Sequence, residues 1–170
     1  MSENFIEKIY TNKNHLLDIA RERNLTMKSL RSQSATPVDF EHQEAWLHSM
    51  TASDDYYYVF RSKFNCAGYC GLNDIDHING TAEISLLIFE KCRKSHYGES
   101  SVNDLLRIAF QVHKLQTVYA EVYTTTSNCA FWEKCGFIKE GILRNRKMWD
   151  GKYYDSIMLS ITEDEWEPSS

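Results

Sequence analysis

Hydrophobic residues in the first fifty positions recur at the spacing of two amphipathic helices that follow a short strand. In chain order, the pattern predicts a strand over 5–10, a helix containing Leu16, Leu17, Ile19 and Ala20, a polar loop over 25–36, and a helix through Phe40, Ala45, Trp46 and Met50. Thr11 and Asn14 are candidate caps of the first helix, and Asp39, two residues after Pro37, is a plausible N-cap of the second.

From residue 56 the pattern becomes mainly that of strands, with two further helices between them. It predicts strands over 56–60, 66–72 and 81–89, a helix through Val102 that opens at Glu99 or Ser100, a strand over 118–123, a short helix over 127–135, and strands over 137–143 and 153–161. Asn79-Gly80 and Asp150-Gly151 are dipeptides typical of hairpin turns, and Gly136 stands where a helix C-cap is expected.

This order predicts an α+β fold with one mixed, mostly antiparallel sheet flanked by helices. The helix between the strands over 81–89 and 118–123 leaves the sheet and rejoins it as a crossover, so these two strands are expected to be parallel neighbours. Only two prolines occur and no Gly/Ser-rich linker interrupts the chain, which favours a single domain over 1–170.

The charge balance of 19 basic against 24 acidic side chains, a net charge of −5, argues against a general nucleic-acid binder. No apolar run approaches the length of a membrane span, and the N-terminus has no secretory signal, so we expect a cytoplasmic protein that binds neither nucleic acid nor membrane. The five cysteines are irregularly spaced and read as reduced thiols, and no metal site is predicted.

Five runs in the second half of the chain carry a family resemblance: AEISLLI, HYGES, VYAEVY, FWEKCGFIKEGILR and DGKYYDSIMLSI. Their order and spacing are similar to those of the GCN5-related N-acetyltransferase (GNAT) superfamily over residues 67–161. The last forty residues of that stretch are the most specific. The resemblance implies a GNAT-type fold, a small-molecule amine acceptor and acetyl-CoA as the acetyl donor.

The predicted helix that contains Gly98 is the candidate pyrophosphate site, because a helix N-terminus presents backbone N–H groups and a positive dipole. The family's loop pattern corresponds here to Ser95, Gly98 and Ser100, and only the glycine is the residue that the family carries. Arg93 and Lys94 could supply the positive charge that relatives carry at the position of Ser95. An ordinary helix entry is the alternative. The resemblance implies a set of cofactor-binding residues: Leu87, Ile88, His96, Tyr97, Gly98, Glu99, Ser100, Asn128 and Trp132.

Acetyl transfer to an amine needs a base, an oxyanion donor and a proton for the departing thiolate. Glu83 lies where relatives often place the carboxylate that acts as the base. The alternative is that Glu83 is a structural residue that faces solvent, because strand alternation alone does not show which face borders the cleft. The oxyanion donor would be a backbone N–H near Leu87 or Ile88, where relatives splay the strand. Relatives commonly carry a tyrosine that acts as the acid where this chain has Trp132. Here Cys129, Tyr123 or water could supply the proton, or the thiolate could leave unprotonated and take its proton from solvent, which is the preferred interpretation.

The N-terminal helices carry candidate acceptor-binding residues. Arg23-Asn24 and the pair His42 and Trp46 resemble elements of a sub-group that acetylates nucleotide-linked amino sugars, as in the pseudaminic acid pathway. His42 and Trp46 are four residues apart and therefore share a helix face. The alternative is that Trp46 belongs to the core and that His42 is a capping partner.

Three functions follow from these patterns. An N-acetyltransferase for a nucleotide-linked amino sugar is preferred, a protein N-terminal or polyamine N-acetyltransferase is the second, and a non-catalytic acyl-CoA-binding relative is the third. The sequence leaves the oligomeric state open, with a homodimer among the options.

Overall fold

The helices and strands of the chain follow one another in the predicted order. The computed structural model describes residues 5–8, 14–26, 37–50, 56–62, 65–93, 96–126 and 128–167. The elements are β1 (Phe5–Lys8), α1 (Asn14–Leu25), α2 (Phe40–Met50), β2 (Tyr56–Ser62), β3 (Asn65–Asp76), β4 (Thr81–Ile88), α3 (Tyr97–Arg107), β5 (Thr117–Tyr123), α4 (Cys129–Lys134), β6 (Ile138–Trp149) and β7 (Lys152–Thr162). The loop expected over 25–36 and the cap Thr11 lie largely outside the described residues.

All seven strands form one sheet in the order β1-β2-β3-β4-β5-β7-β6. Every neighbouring pair is antiparallel except β4 and β5, which are parallel and are connected through α3. The mixed, mostly antiparallel α+β fold and the parallel crossover are therefore confirmed. No helix within the described ranges is long and apolar enough to cross a membrane.

The two faces of the sheet carry separate clusters of buried residues. On one face, α1 and α2 cover Tyr69 of β3 and Leu87 of β4. On the other face, α3 and α4 cover a larger cluster that includes Ala82 and Ile84 of β4. Side chains alternate along a strand, so Glu83 lies on the same side of β4 as Leu87, the α1/α2 face.

Element ends differ more from the sequence prediction than element types do. Helix α3 begins at Tyr97 rather than at residue 99 or 100, and a π-helical turn over Ile108–Val112 continues it. Strand β6 extends to Trp149 instead of ending near residue 143. Most of its side chains are exposed and its register shifts twice, so the alternation that marks a half-buried strand is missing.

Two predicted turn features are present. Gly136 has a φ of +93° directly after α4, the left-handed conformation in which glycine ends a helix. Asp150 and Gly151 both have positive φ, at 48° and 70°, between β6 and β7. Positive φ at both central residues is the geometry of a type I′ hairpin turn.

Gly98 allows α3 to approach β4 and α4 closely. A β-carbon built at this position would lie 2.6 Å from Cδ1 of Ile88 and 3.0 Å from Cε2 of Phe131. The first contact is shorter than real β-carbons show and the second is tight, so a β-carbon at this position requires Ile88 and Phe131 to shift.

We expect Gly98→Ala to lower the free energy of unfolding by about 1 to 3 kcal/mol, the usual cost of overpacking. Chemical denaturation measures this loss. The matched control is Gly141→Ala in β6, where an added β-carbon meets nothing within 4 Å and should change stability little. Since Ile88→Val deletes Cδ1, the double variant Gly98→Ala/Ile88→Val should recover part of the loss. Strictly additive effects would contradict the proposed clash.

Candidate active site

The parallel strands β4 and β5 separate after a short stretch of pairing. Within these two fully described strands, pairing is confined to Thr81–Glu83 and Thr117–Tyr119. Beyond this point β4 stays paired with β3 as far as Ile88, and β5 stays paired with β7 as far as Tyr123. The strands therefore bound an opening, here called the cleft, which matches the expected splay.

The backbone of β4 presents one of the two candidate oxyanion donors to the cleft. Phe89 N donates to Ala67 O of β3 at 2.9 Å, so Phe89 and, two residues back, Leu87 direct their N–H groups toward β3. Ile88 lies between them and its N–H is directed toward the cleft. Arg93 Nε approaches Ile88 O at 3.4 Å, consistent with a carbonyl on the same open edge.

Glu83 lies where the cleft begins. Its side chain is only 5% exposed, so the interpretation as a solvent-facing strand residue is wrong. Glu83 Oε2 accepts a hydrogen bond from Asn73 Nδ2 at 2.9 Å, and Asn73 Oδ1 accepts one from Ser85 Oγ at 2.8 Å. These two bonds fix the asparagine amide, which in turn orients the carboxylate. An oriented carboxylate at this point can accept a proton from an amine or from a water molecule.

The start of α3 borders the cleft below the end of β4. His96 is exposed, Gly98 is buried, and Tyr97 and Ser100 are partly buried. The N-cap residue His96 makes no side-chain capping hydrogen bond, and the first N–H groups of a helix have no acceptor within the helix itself. The arrangement suits an anion such as a pyrophosphate. The Glu99 side chain is occupied by Lys134 Nζ of α4, which lies 2.6 Å from its Oε1, and contact between its backbone and the cofactor stays a prediction. Ser95 and Lys94 lie outside the described residues.

Trp132 belongs to the core. Its side chain is 7% exposed and packs edge-on against Phe131 and Phe137, at ring distances of 5.3 and 5.1 Å. Trp132 therefore contributes to the packing of the core, and its contact with the cofactor remains a prediction. Asn128 is exposed and accepts a hydrogen bond from Phe131 N through its carbonyl oxygen.

The candidate proton donors differ in environment. Burial, followed by the nearby Glu133 carboxylate, raises the pKa of the partly buried Cys129 thiol, which makes it a weaker acid. Tyr123 is buried at the end of β5, on the α1/α2 face, and Lys147 Nζ lies 5.0 Å from the centre of its ring.

The candidate acceptor residues make contacts within the N-terminal part of the fold. Asn24 bonds both backbone groups of Val38, at 2.7 and 2.8 Å, and Arg23 Nη1 donates to the buried Gln43 Oε1 at 3.1 Å. His42 is exposed and its Nδ1 lies 2.7 Å from Oδ1 of Asp39, which also accepts from His42 N. These contacts give the residues roles in packing and capping, and their binding of an acceptor stays a prediction.

Trp46 also makes internal contacts. Its ring packs edge-on against Tyr69 at 6.0 Å, and the Arg23 guanidinium lies 5.4 Å from its centre. The shared helix face of His42 and Trp46 was a correct inference. Spacing alone does not show what covers such a face, and here Tyr69 covers part of it.

Sequence reasoning missed a polar network on the other side of the cleft. Glu121 of β5 has a side chain that is 4% exposed; it accepts hydrogen bonds from Ser156 Oγ at 2.5 Å and from Arg146 Nε at 3.2 Å. Arg146 belongs to β6, two strands away. No local pattern marks these residues, because their meeting depends on the irregular register of β6. Asn73 was missed for a related reason, since its pairing with Glu83 depends on the full length of β3.

Comparison with known proteins gives consistent results. Residues 6–158 match the family model described as an acetyltransferase (GNAT) domain. The chain is 29% identical over 133 residues to the SPbeta prophage-derived uncharacterized N-acetyltransferase YokL of Bacillus subtilis, covering 77% of this chain and 75% of that protein. It is 24% identical over 103 residues to spermidine N(1)-acetyltransferase of Vibrio cholerae, covering 60% of each.

Solved structures share the fold at low sequence identity. The crystal structure of spermidine N-acetyltransferase from Vibrio cholerae in complex with CoA and spermine superposes with a TM-score of 0.84 at 18% identity, covering 97% of this chain and 98% of that one. An acetyltransferase structure from T. thermophilus gives 0.79 at 21% identity, covering 98% and 92%. From the family match over nine-tenths of its length, this chain belongs to the GNAT family of acetyltransferases, and acetyl-CoA is its acetyl donor.

Proposed function

We propose that the protein transfers the acetyl group of acetyl-CoA to a primary amine of a small aliphatic polyamine. The observation that carries the proposal is the position of Glu83, a buried and oriented carboxylate at the point where β4 and β5 part. A carboxylate there serves two needs of the reaction. It attracts a cationic amine, and it removes the proton that the amine must lose before it can attack a thioester.

The remaining parts of the cleft supply complementary chemistry. The Ile88 N–H is directed at the space where an acetyl carbonyl would enter, and a backbone donor in this position stabilises a developing oxyanion. The N-terminus of α3 and the guanidinium of Arg93 favour the pyrophosphate of the donor. We assign the acetyl group to the inner edge of β4 on this basis.

Three observations support a polyamine over a nucleotide-linked amino sugar. Arg23 and Asn24, two of the residues that suggested a sugar nucleotide, are engaged in hydrogen bonds to Gln43 and Val38. The relatives include spermidine acetyltransferases in both the sequence and the structure comparison. The net charge of −5 favours the approach of a polycation and disfavours that of a nucleotide diphosphate.

An acceptor panel tests this choice directly. With acetyl-CoA as donor, we expect kcat/KM to be higher for spermidine than for a UDP-linked amino sugar or for a peptide with a free N-terminus, by at least about tenfold. Release of CoA thiol, measured for each acceptor, gives the comparison. A higher value for the sugar nucleotide would restore the first sequence interpretation, and binding of acetyl-CoA without transfer to any amine would contradict catalysis altogether.

Replacing the base gives a second test. We expect Glu83→Gln to lower the rate at neutral pH by around 10²-fold, with partial recovery at higher pH as free amine accumulates. The control is Glu41→Gln on the exposed surface of α2, which should behave as the wild type. A Glu83→Gln protein that binds acetyl-CoA and keeps the wild-type pH–rate profile would show that Glu83 is structural.

The variant Trp46→Ala distinguishes a packing role of this side chain from a role in acceptor binding. Because its ring contacts Tyr69 and Arg23 and is partly buried, we expect Trp46→Ala to cost roughly 1 to 3 kcal/mol of stability, less than a fully buried tryptophan. KM for the acceptor should stay within about twofold of the wild type, since the lost contacts are internal to the fold. A large rise in KM with an unchanged melting temperature would return Trp46 to the acceptor site.

A further inference from the structure

Lys147 is a buried primary amine on the face of the sheet where the acceptor is expected. It lies in β6 opposite Tyr154 of β7, and its residue is only 7% exposed. Burial lowers the pKa of the Lys147 ammonium, which increases the share of neutral amine at a given pH. A neutral amine is the nucleophile that an N-acetyltransferase uses.

Two aromatic rings hold the amine close to the cleft. Nζ of Lys147 lies 5.0 Å from the centre of the Tyr123 ring and 5.8 Å from that of Trp149. Tyr123 is the last residue of β5 and pairs with Ser156, two positions along β7 from Tyr154. Lys147 therefore reaches across β7 toward the end of β5 at which β4 and β5 have separated.

The register of the sheet places this amine level with the acetyl position. Four residues on from the pair Glu83–Tyr119 are Leu87 on β4 and Tyr123 on β5. The Ile88 N–H, to which we assign the acetyl carbonyl, follows directly after Leu87. The long, unbranched lysine side chain gives Nζ the freedom to move from the Tyr123 ring into the adjoining cleft.

We propose that Lys147 is a self-acetylation site, to which the protein transfers an acetyl group from acetyl-CoA bound to the same chain. The inference rests on the proposed placement of the acetyl group in the cleft. The neutral amine attacks the carbonyl carbon, the C–N bond forms and the C–S bond breaks. Sulfur leaves with the bonding electrons, and the proton lost by nitrogen converts the thiolate into CoA thiol. The products are Nε-acetyl-Lys147 and CoA.

Isotope labelling without any added acceptor tests the proposal. The full-length protein is incubated with saturating deuterated acetyl-CoA, and label is quantified by peptide mass spectrometry. Lys139 and Lys152 flank the site and are exposed, so they report uncatalysed acetylation. We expect Lys147 to be labelled at least about ten times faster than either, because the bound donor acts at a high effective concentration. The rate per chain should not change when the protein is diluted tenfold.

The proposal would be overturned if the labelling rates followed solvent exposure, so that Lys152 was labelled faster than Lys147. A labelling rate per chain that falls on dilution would also overturn it. Lys147→Arg keeps the cation over the rings and should remove the label, whereas Lys152→Arg, the matched control, should keep it; thermal melting verifies that both variants fold.

Spermidine turnover, measured in parallel, separates this inference from the proposed function. Transfer to spermidine with an unlabelled Lys147 would refute self-acetylation alone. A labelled Lys147 without transfer to spermidine would refute the polyamine assignment alone.

Discussion

The separation of β4 from β5 is the constraint on which the site depends. Each strand keeps a ladder on its outer side, β4 with β3 and β5 with β7, so neither can close the opening by moving as a whole. Backbone groups on the inner edges beyond Glu83 are left to find other partners, because buried N–H and C=O groups are costly to leave unsatisfied. A ligand that offers amide and carbonyl groups in an extended chain suits these edges. The binding site is in this sense a consequence of sheet topology.

Two irregularities frame this opening. On the β4 side, Gly98 lets the start of α3 come close enough to bring its N-terminus to the end of the strand. On the β5 side, β6 advances four residues from Leu143 to Lys147 while β7 advances only two. Asn145 adopts a φ of 56° within this bulge, and Arg146 and Lys147 are thereby directed across β7 toward β5. Bulges next to functional sites commonly re-aim side chains in this way.

The order of elements and the parallel crossover could be predicted because each depends on local signals: a change of period, a turn dipeptide such as Asp150-Gly151, or a helix-ending Gly136. Glu83 could be singled out from the sequence, but its burial could not be read from alternation, and its role as the base stays a prediction. The hydrogen-bond partners in the site could not be predicted from the sequence. Asn73 meets Glu83 only through the register of a hairpin, and Arg146 meets Glu121 only through a bulge in an exposed strand. Such contacts depend on distances between strands, which a single sequence does not encode locally.

The contacts of the N-terminal helices bear on the geometry of the site. Arg23, Asn24 and Trp46 are polar or aromatic residues, which fit a ligand site and a helix–helix contact equally well. Here they fasten α1 to α2, and Trp46 continues the contact onto Tyr69. Tyr69 is paired across the sheet with Leu87, the residue before the Ile88 amide. The packing of α1 and α2 therefore affects the position of the part of β4 that borders the cleft. Selectivity for the acceptor is then expected to depend on residues that border the cleft, such as Glu83 and Tyr123, while the helices fix the position of the strand that carries the candidate oxyanion donor.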